Sequence, residues 1–426
     1  MGISHPCPAQ VERLAVFGLR AQARHKWSLH LSVAPFGHGF IVDARFILSE
    51  ALGAVLASGL LIPVAAAREG DWYAAGAAGF EGLEAYYYVP AIFAIAFDAV
   101  YQVLRLAARL RPRRKPRDDD GGGGDLGAAL LGGAAAPAAW RPPTRAWVAA
   151  WAAASLVALV ALPPLFGCSY AMTAVALLAA PLWSLGITVA VGTTGSNVAS
   201  SCGKVMIILF AAWYGEPRVV PVLALGALST AVIDQALDLV RDFKTAHLLG
   251  APPKAVFAAQ CVGAAASVFS AAVLYAWYVD RVPLPSADLP CVIAKSYRGL
   301  AFAFAGGLGA LPRHCLALSA ATGAAAVGFD VARDLAPARV EPMIPSGIAF
   351  GVGLILLSGQ VFCSLLGLGV FAAWGRVAPE HRDRRAQLFG AALLAGDGVA
   401  GVLQSVLEAS GVRPPWVFAY PAWWPA

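Results

Sequence analysis

The sequence predicts an all-α, polytopic transmembrane helical bundle of about ten spans, some of them broken or re-entrant, because a bilayer core about 30 Å thick takes roughly 20 apolar residues per helix. Three observations carry that expectation. Of 426 residues, 59% are apolar and 13% charged, where a soluble domain carries about a quarter charged. Mean hydropathy is +0.67. The apolar residues also fall in long blocks parted by short charged stretches.

The charge balance of 31 basic against 25 acidic residues gives +6. Its distribution excludes a nucleic-acid role. Basic residues cluster between apolar blocks, at Arg105, Arg109, Arg111, Arg113, Arg114, Lys115 and Arg117 and again at Arg376, Arg382, Arg384 and Arg385. That is the pattern of cytoplasmic loops, without the interleaved aromatics of a nucleic-acid surface. Seven cysteines are scattered with no CxxC pair, and they read as small apolar residues inside helices.

Taken in order, residues 1–42 form an N-terminal segment, partly interfacial. Met1 to Trp27 lacks the uninterrupted apolar core of a cleaved signal peptide, so insertion rests on internal spans. Residues 43–110 hold a first membrane helix pair, Phe46 to Val64 and Tyr86 to Leu106. Residues 111–145 read as a flexible basic and Gly-rich cytoplasmic loop. Gly121 to Gly124 lack the strand and Lys-Ser/Thr of a phosphate cradle. Residues 146–426 form the membrane transport bundle, with spans at Ala146 to Phe166, Tyr170 to Val191, Val219 to Val240, Ala255 to Tyr278, Cys315 to Val331 and Ala391 to Leu407. Arg376 to Arg385 is a second cytoplasmic loop. Ser200 to Trp213 is too short for a span and Ile344 to Trp374 too long for one. Both are read as broken segments, tolerated at membrane depth where they face protein or a wet cavity. Small residues such as Ala149 to Ala154 and Gly263 to Ala266 permit close helix packing in lipid.

Ionisable residues inside these blocks need a reason, since a charge at the bilayer centre costs roughly 2.5–3.5 kcal/mol on insertion scales. They are Glu50, Asp98, Asp234, Asp238, Asp330, Asp397 and Glu408. Asp98 and Asp397 lie deep in their blocks and are expected to act in function or in buried pairing. Asp234 and Asp238 share a helix face and suit a proton or cation path. The alternative is that Asp238 reaches interfacial water or pairs with Arg241. Between two blocks, Gly192 to Lys204 is polar and reads as a helix break, where Ser196, Asn197 and Lys204 offer contacts to a polar solute, or else as a surface loop. No GxSxG motif or nearby base marks an enzyme. His314 has no second ligand at helical spacing, so neither a metal site nor a cofactor is expected.

The stretch Asp238-Leu239-Val240-Arg241-Asp242-Phe243-Lys244-Thr245 contains an Asp-Phe-Lys-Thr sequence that resembles a signature of the oligopeptide transporter family. Further matches follow in order. They are Gly70-Asp71-Trp72-Tyr73, Gly82-Leu83, Asp98, Ser196-Asn197, Gly203-Lys204, Tyr297-Arg298, Ala310-Leu311-Pro312 with His314-Cys315-Leu316, Arg333-Asp334, Ile344-Pro345, Gly396-Asp397-Gly398 and Pro414-Pro415. They are most similar to the yellow stripe-like branch. The resemblance implies proton-coupled symport of metal-nicotianamine or metal-phytosiderophore chelates, iron among them, and adds Asp242 and Lys244 to the substrate and ion pathway. The partners it implies are a metal chelate or small peptide, protons, the lipid bilayer and copies or relatives of the chain, in a plasma membrane or endomembrane. The resemblance starts near Phe17 and lacks the family's upstream spans. An oligopeptide transporter, or a truncated non-transporting paralogue that binds an intact relative, is the alternative reading. Gly195-Ser196, Cys363 and Ala246 stand where the family has Asp-Trp, Asp and Gly.

Overall fold

A computed structural model describes residues 13–14, 18, 21–22, 25–77, 79–110, 144–194, 199–249, 251–281, 292–305, 307, 309 and 311–410. The basic, Gly-rich stretch after residue 110, together with Ser196 and Asn197, lies outside the described residues. A two-residue antiparallel pair joins β1 (Arg13–Leu14) to β2 (Leu29–His30). Apart from an isolated bridge between Glu69 and Tyr73, the other regular structure among the described residues is helical.

The helices are α1 (Val33–Ile41), α2 (Ala44–Leu56), α3 (Ile62–Ala66), α4 (Ala85–Leu110), α5 (Thr144–Phe166), α6 (Tyr170–Thr194) and α7 (Ala199–Tyr214). They continue with α8 (Val219–Leu249), α9 (Pro253–Arg281), α10 (Val292–Ala305), α11 (Cys315–Leu335), α12 (Gly347–Val377) and α13 (Pro379–Ala409). Among the described residues eight helices are long and apolar enough to cross a membrane, and two shorter apolar helices accompany them. The short segment foreseen at Ser200 to Trp213 is α7, whose 16 residues rise only about 24 Å at 1.5 Å each.

By internal contacts the chain divides into two units. In one, which holds residues 1–98, 211–217 and 271–426, α12 packs along α2 and α1, and α13 packs on α1. Glycine makes these approaches feasible. A Cβ on Gly53 would overlap the Phe350 carbonyl, one on Gly353 the Glu50 carbonyl, and one on Gly367 the Phe36 carbonyl. Around them a core forms from Ala57, Leu61, Ile62, Tyr87, Ala91, Ala94, Ala326, Phe350 and Leu354. Backbone contact through small residues is what drives helix association in lipid, where apolar side chains gain nothing by leaving the solvent.

The other unit holds residues 99–210 and 218–270. There α8 packs on α6 and α5. Gly203 and Gly226 seat Thr230 and Ile207 where α7 meets α8.

Two helices in the first unit are irregular. Between α2 and α3 the chain makes one π-helical turn, Ala57–Leu61, just before Pro63, which has no N–H to give to a regular ladder. In α12, Leu357 has φ 57 and ψ −169. That backbone region belongs to glycine and costs on the order of 1–3 kcal/mol in other residues. The over-long segment is therefore broken near its middle, as its length suggests.

One boundary differs from the sequence reading. Arg376 to Arg385 was expected as a loop, but helix resumes at Pro379, so Arg382, Arg384 and Arg385 ride on the first turns of α13. Proline at the first helical position and an acid at Glu380 in the first turn both favour a helix start. Only Ala378 separates the two helices.

Candidate functional site

Two of the embedded acids, Asp98 and Asp330, come together where α4 and α11 meet. Cys315 Sγ contacts the Ala85 carbonyl at 3.5 Å, and Thr322 Oγ1 donates to the Pro90 carbonyl at 2.9 Å. From the first of these contacts to the second, α4 advances five residues and α11 seven in the same direction, so the two helices are parallel. Their common starting end is latched by two of the motif segments. Tyr86 O–H donates to the Arg313 carbonyl at 2.8 Å, Arg313 N–H donates to the Trp72 carbonyl at 3.0 Å, and Arg313 Nη1 pairs with Asp71 at 3.1 Å. Eight residues beyond Pro90 and Thr322, Asp98 on α4 meets Asp330 on α11.

Both acids are buried, Asp98 at 1% and Asp330 at 0% exposure. Arg333, one turn along α11, places Nη2 2.8 Å from Asp330 Oδ1. Asp98 lies against Asp330, with the Ile348 N–H at the first turn of α12 alongside. Among the described residues neither Asp98 oxygen has a hydrogen-bond donor in bonding geometry. The approach depends on Gly347, where a Cβ would lie 2.8 Å from Asp98 Oδ1 and 2.6 Å from the Ala326 carbonyl. A helix N-terminus presents free N–H groups and the positive end of its dipole, so the start of α12 is a favourable place for a carboxylate.

Ser49 fixes that start by accepting from the Ser346 N–H at 3.0 Å while donating to the Arg45 carbonyl at 2.6 Å. Arg45, at the beginning of α2, stands within the field of Arg333, Asp330, Glu341 and Asp43, and its Nε and Nη2 are buried without a bond. Charge thus steps inward from exposed Glu341 through half-buried Arg45 to Asp330 and Asp98. Glu50, on the buried side of α2, is 2% exposed, and its Oε2 has no bonded partner.

The other acids and bases named from the sequence are carried by other helices. Asp238 is paired with Arg241 at 3.4 Å on a half-exposed face of α8, the alternative the spacing left open. Asp234 and Asp242 are half-buried on the same helix. Lys244 falls on α8 and Glu408 near the end of α13, with side chains outside the described residues. Lys204 is buried in α7 at 8% exposure, within the second unit. Asp397 is half-buried on α13. Sequence reasoning picked out Asp98 and Asp330 singly but missed their pairing and the parts played by Arg45, Ser49 and Gly347. Among the described residues no group of three or more His, Cys, Asp or Glu is placed to hold a metal ion.

Residues 137–408 match the family model described as OPT oligopeptide transporter protein. The chain is 28% identical over 419 residues to the iron-phytosiderophore transporter yellow stripe 1 of Zea mays, covering 94% of this chain and 61% of that protein. It is 27% identical to a probable metal-nicotianamine transporter of Oryza sativa subsp. japonica, covering 93% of this chain and 58% of the relative. A probable metal-nicotianamine transporter of Arabidopsis thaliana is 26% identical, with 94% and 59% covered. The chain therefore spans about three fifths of the length of these relatives. With its family match and its eight candidate spans, this chain is a multi-pass integral membrane protein that belongs to the oligopeptide transporter family, a family of membrane transporters rather than enzymes.

Proposed function

We propose that the chain is a proton-coupled secondary transporter of metal chelates, carrying iron and other transition metals bound to a small amino-carboxylate such as nicotianamine or a phytosiderophore. The observation that carries this reading is the pair Asp98–Asp330 at the start of a broken membrane helix. A buried carboxylate set against a second carboxylate has a place for a shared proton, because a protonated carboxyl becomes a donor to its neighbour. Arg333 holds Asp330 from the other side. Proton arrival would close the Asp98–Asp330 hydrogen bond, and departure would free Asp98 for the N–H groups of α12. Broken membrane helices whose N-terminal ends face anionic groups are a recurrent element of secondary carriers. The cargo class is supported by the names of the relatives, and Asp234, Asp238, Asp242, Lys204 and Asp397 remain candidates for its path.

The test is uptake of radiolabelled iron-nicotianamine by liposomes holding the full chain. An inward proton gradient is expected to drive accumulation, and Asp98→Asn is expected to leave uptake insensitive to that gradient. Competition by unlabelled chelate but not by small peptides supports the chelate cargo, whereas the reverse supports an oligopeptide carrier. Equal uptake with and without a gradient contradicts proton coupling. An inert chain that co-purifies with a longer relative would replace transport with a binding role.

A further inference from the structure

The break in α12 coincides with the only glycine-like backbone angle found in a non-glycine residue inside a described helix, at Leu357. The two halves of α12 are held by different partners. The half before Leu357 packs on α2 and α11, through Gly353 against the Glu50 carbonyl and Gly347 against the Ala326 carbonyl. The half after it packs on α1 and α13, with Gly39 set against Ser364 and Leu368.

The segment Lys26–Ser28 lies across the break. Ser358, fully buried, donates through Oγ to the Lys26 carbonyl at 2.9 Å and accepts from the Ser28 N–H at 3.1 Å. Lys26 itself has φ 61, so the strap is bent to reach. Trp27 stacks on Phe362 with ring centroids 5.7 Å apart. Its edge also lies 3.5 Å from where a Cβ on Gly59 would stand, inside the π-helical turn. One indole therefore joins the π-helical turn of one helix to the half of α12 that follows its break.

We propose that Leu357–Ser358 is a hinge in α12 and that Lys26–Ser28 is the strap that holds it bent. Leucine is disfavoured at φ 57. Release of the strap lets Leu357 return to helical angles and α12 straighten, which moves the helix start at Gly347 relative to Asp98. This inference concerns conformation and does not depend on the cargo.

The experiment is a spin–spin distance measurement on the full chain in lipid, with native cysteines replaced and labels at exposed Met343 and Val370, one on each side of the break. The unaltered chain is expected to give one short distance. Leu357→Gly, which makes the backbone angle at that position permitted while keeping the strap, is expected to give the same distance. Ser358→Ala and Trp27→Ala, which cut the strap from its two sides, are expected to add a longer population. The longer population in either strap variant supports the hinge, so loss of one variant to misfolding leaves the other to decide. The short distance in both, or the long distance appearing in Leu357→Gly, overturns it.

Discussion

At the scale of single residues, the proposed chemistry rests on Asp98, Asp330 and Arg333, and the cost of breaking their arrangement is set by burial. Arg333 is the group placed to compensate fully buried Asp330. Arg333→Met strands that charge and is expected to destabilise the chain by about 3–5 kcal/mol, whereas the double change Arg333→Met with Asp330→Leu recovers most of the loss. Thermal unfolding in detergent of the two variants and the unaltered chain checks this, and equal losses in both would contradict it. Gly347→Ala introduces a methyl against Asp98 and the Ala326 carbonyl and is expected to cost about 1–3 kcal/mol. Gly396→Ala, at a glycine with open space around it, is expected to be neutral or stabilising by up to about 1 kcal/mol. A sequence reading finds Asp98 and Asp330 because an acid inside an apolar block is conspicuous. Their pairing was not legible, since it arises from the parallel register of α4 and α11 across some 230 positions.

At the scale of elements, hydrophobic block length identified most of the helices, because the bilayer imposes a minimum apolar run. It also exposed α12 as too long and α7 as too short for ordinary spans. The break at Leu357 and the π-helical turn at Ala57–Leu61 could not be placed from composition, as a leucine occupies the glycine-like backbone position of the first and the sequence of the second reads like the rest of its apolar span. The start of α13 was missed for a related reason. Arg382, Arg384 and Arg385 look like loop charges until Pro379 and Glu380 are recognised as a helix start. The close approach of α2 and α12 gives a direct test at this scale. Gly53→Val puts a branched side chain into the Phe350 carbonyl and is expected to cost at least about 1–3 kcal/mol. Gly59→Ala, with only Trp27 nearby, is expected to cost less. Comparing the thermal stability of the two variants decides it, and equal tolerance would contradict the packing.

At the scale of the whole molecule, the family match and the candidate spans make this an integral membrane protein, and its orientation follows as a proposal from charge. Lys and Arg flanking membrane helices favour the cytoplasmic side, so the basic, Gly-rich loop after α4 is expected there. An epitope inserted between Gly122 and Gly123 should be reached by antibody only after the membrane is permeabilised, and labelling of intact cells would reverse the assignment. The central claim is that the Asp98–Asp330 pair holds the proton that drives cargo movement. It is tested most directly by iron-nicotianamine uptake into liposomes at a series of imposed pH gradients, comparing the unaltered chain with Asp98→Asn. Uptake that rises with the inward proton gradient in the unaltered chain and is flat in Asp98→Asn is the predicted result. The same gradient dependence in both would contradict it.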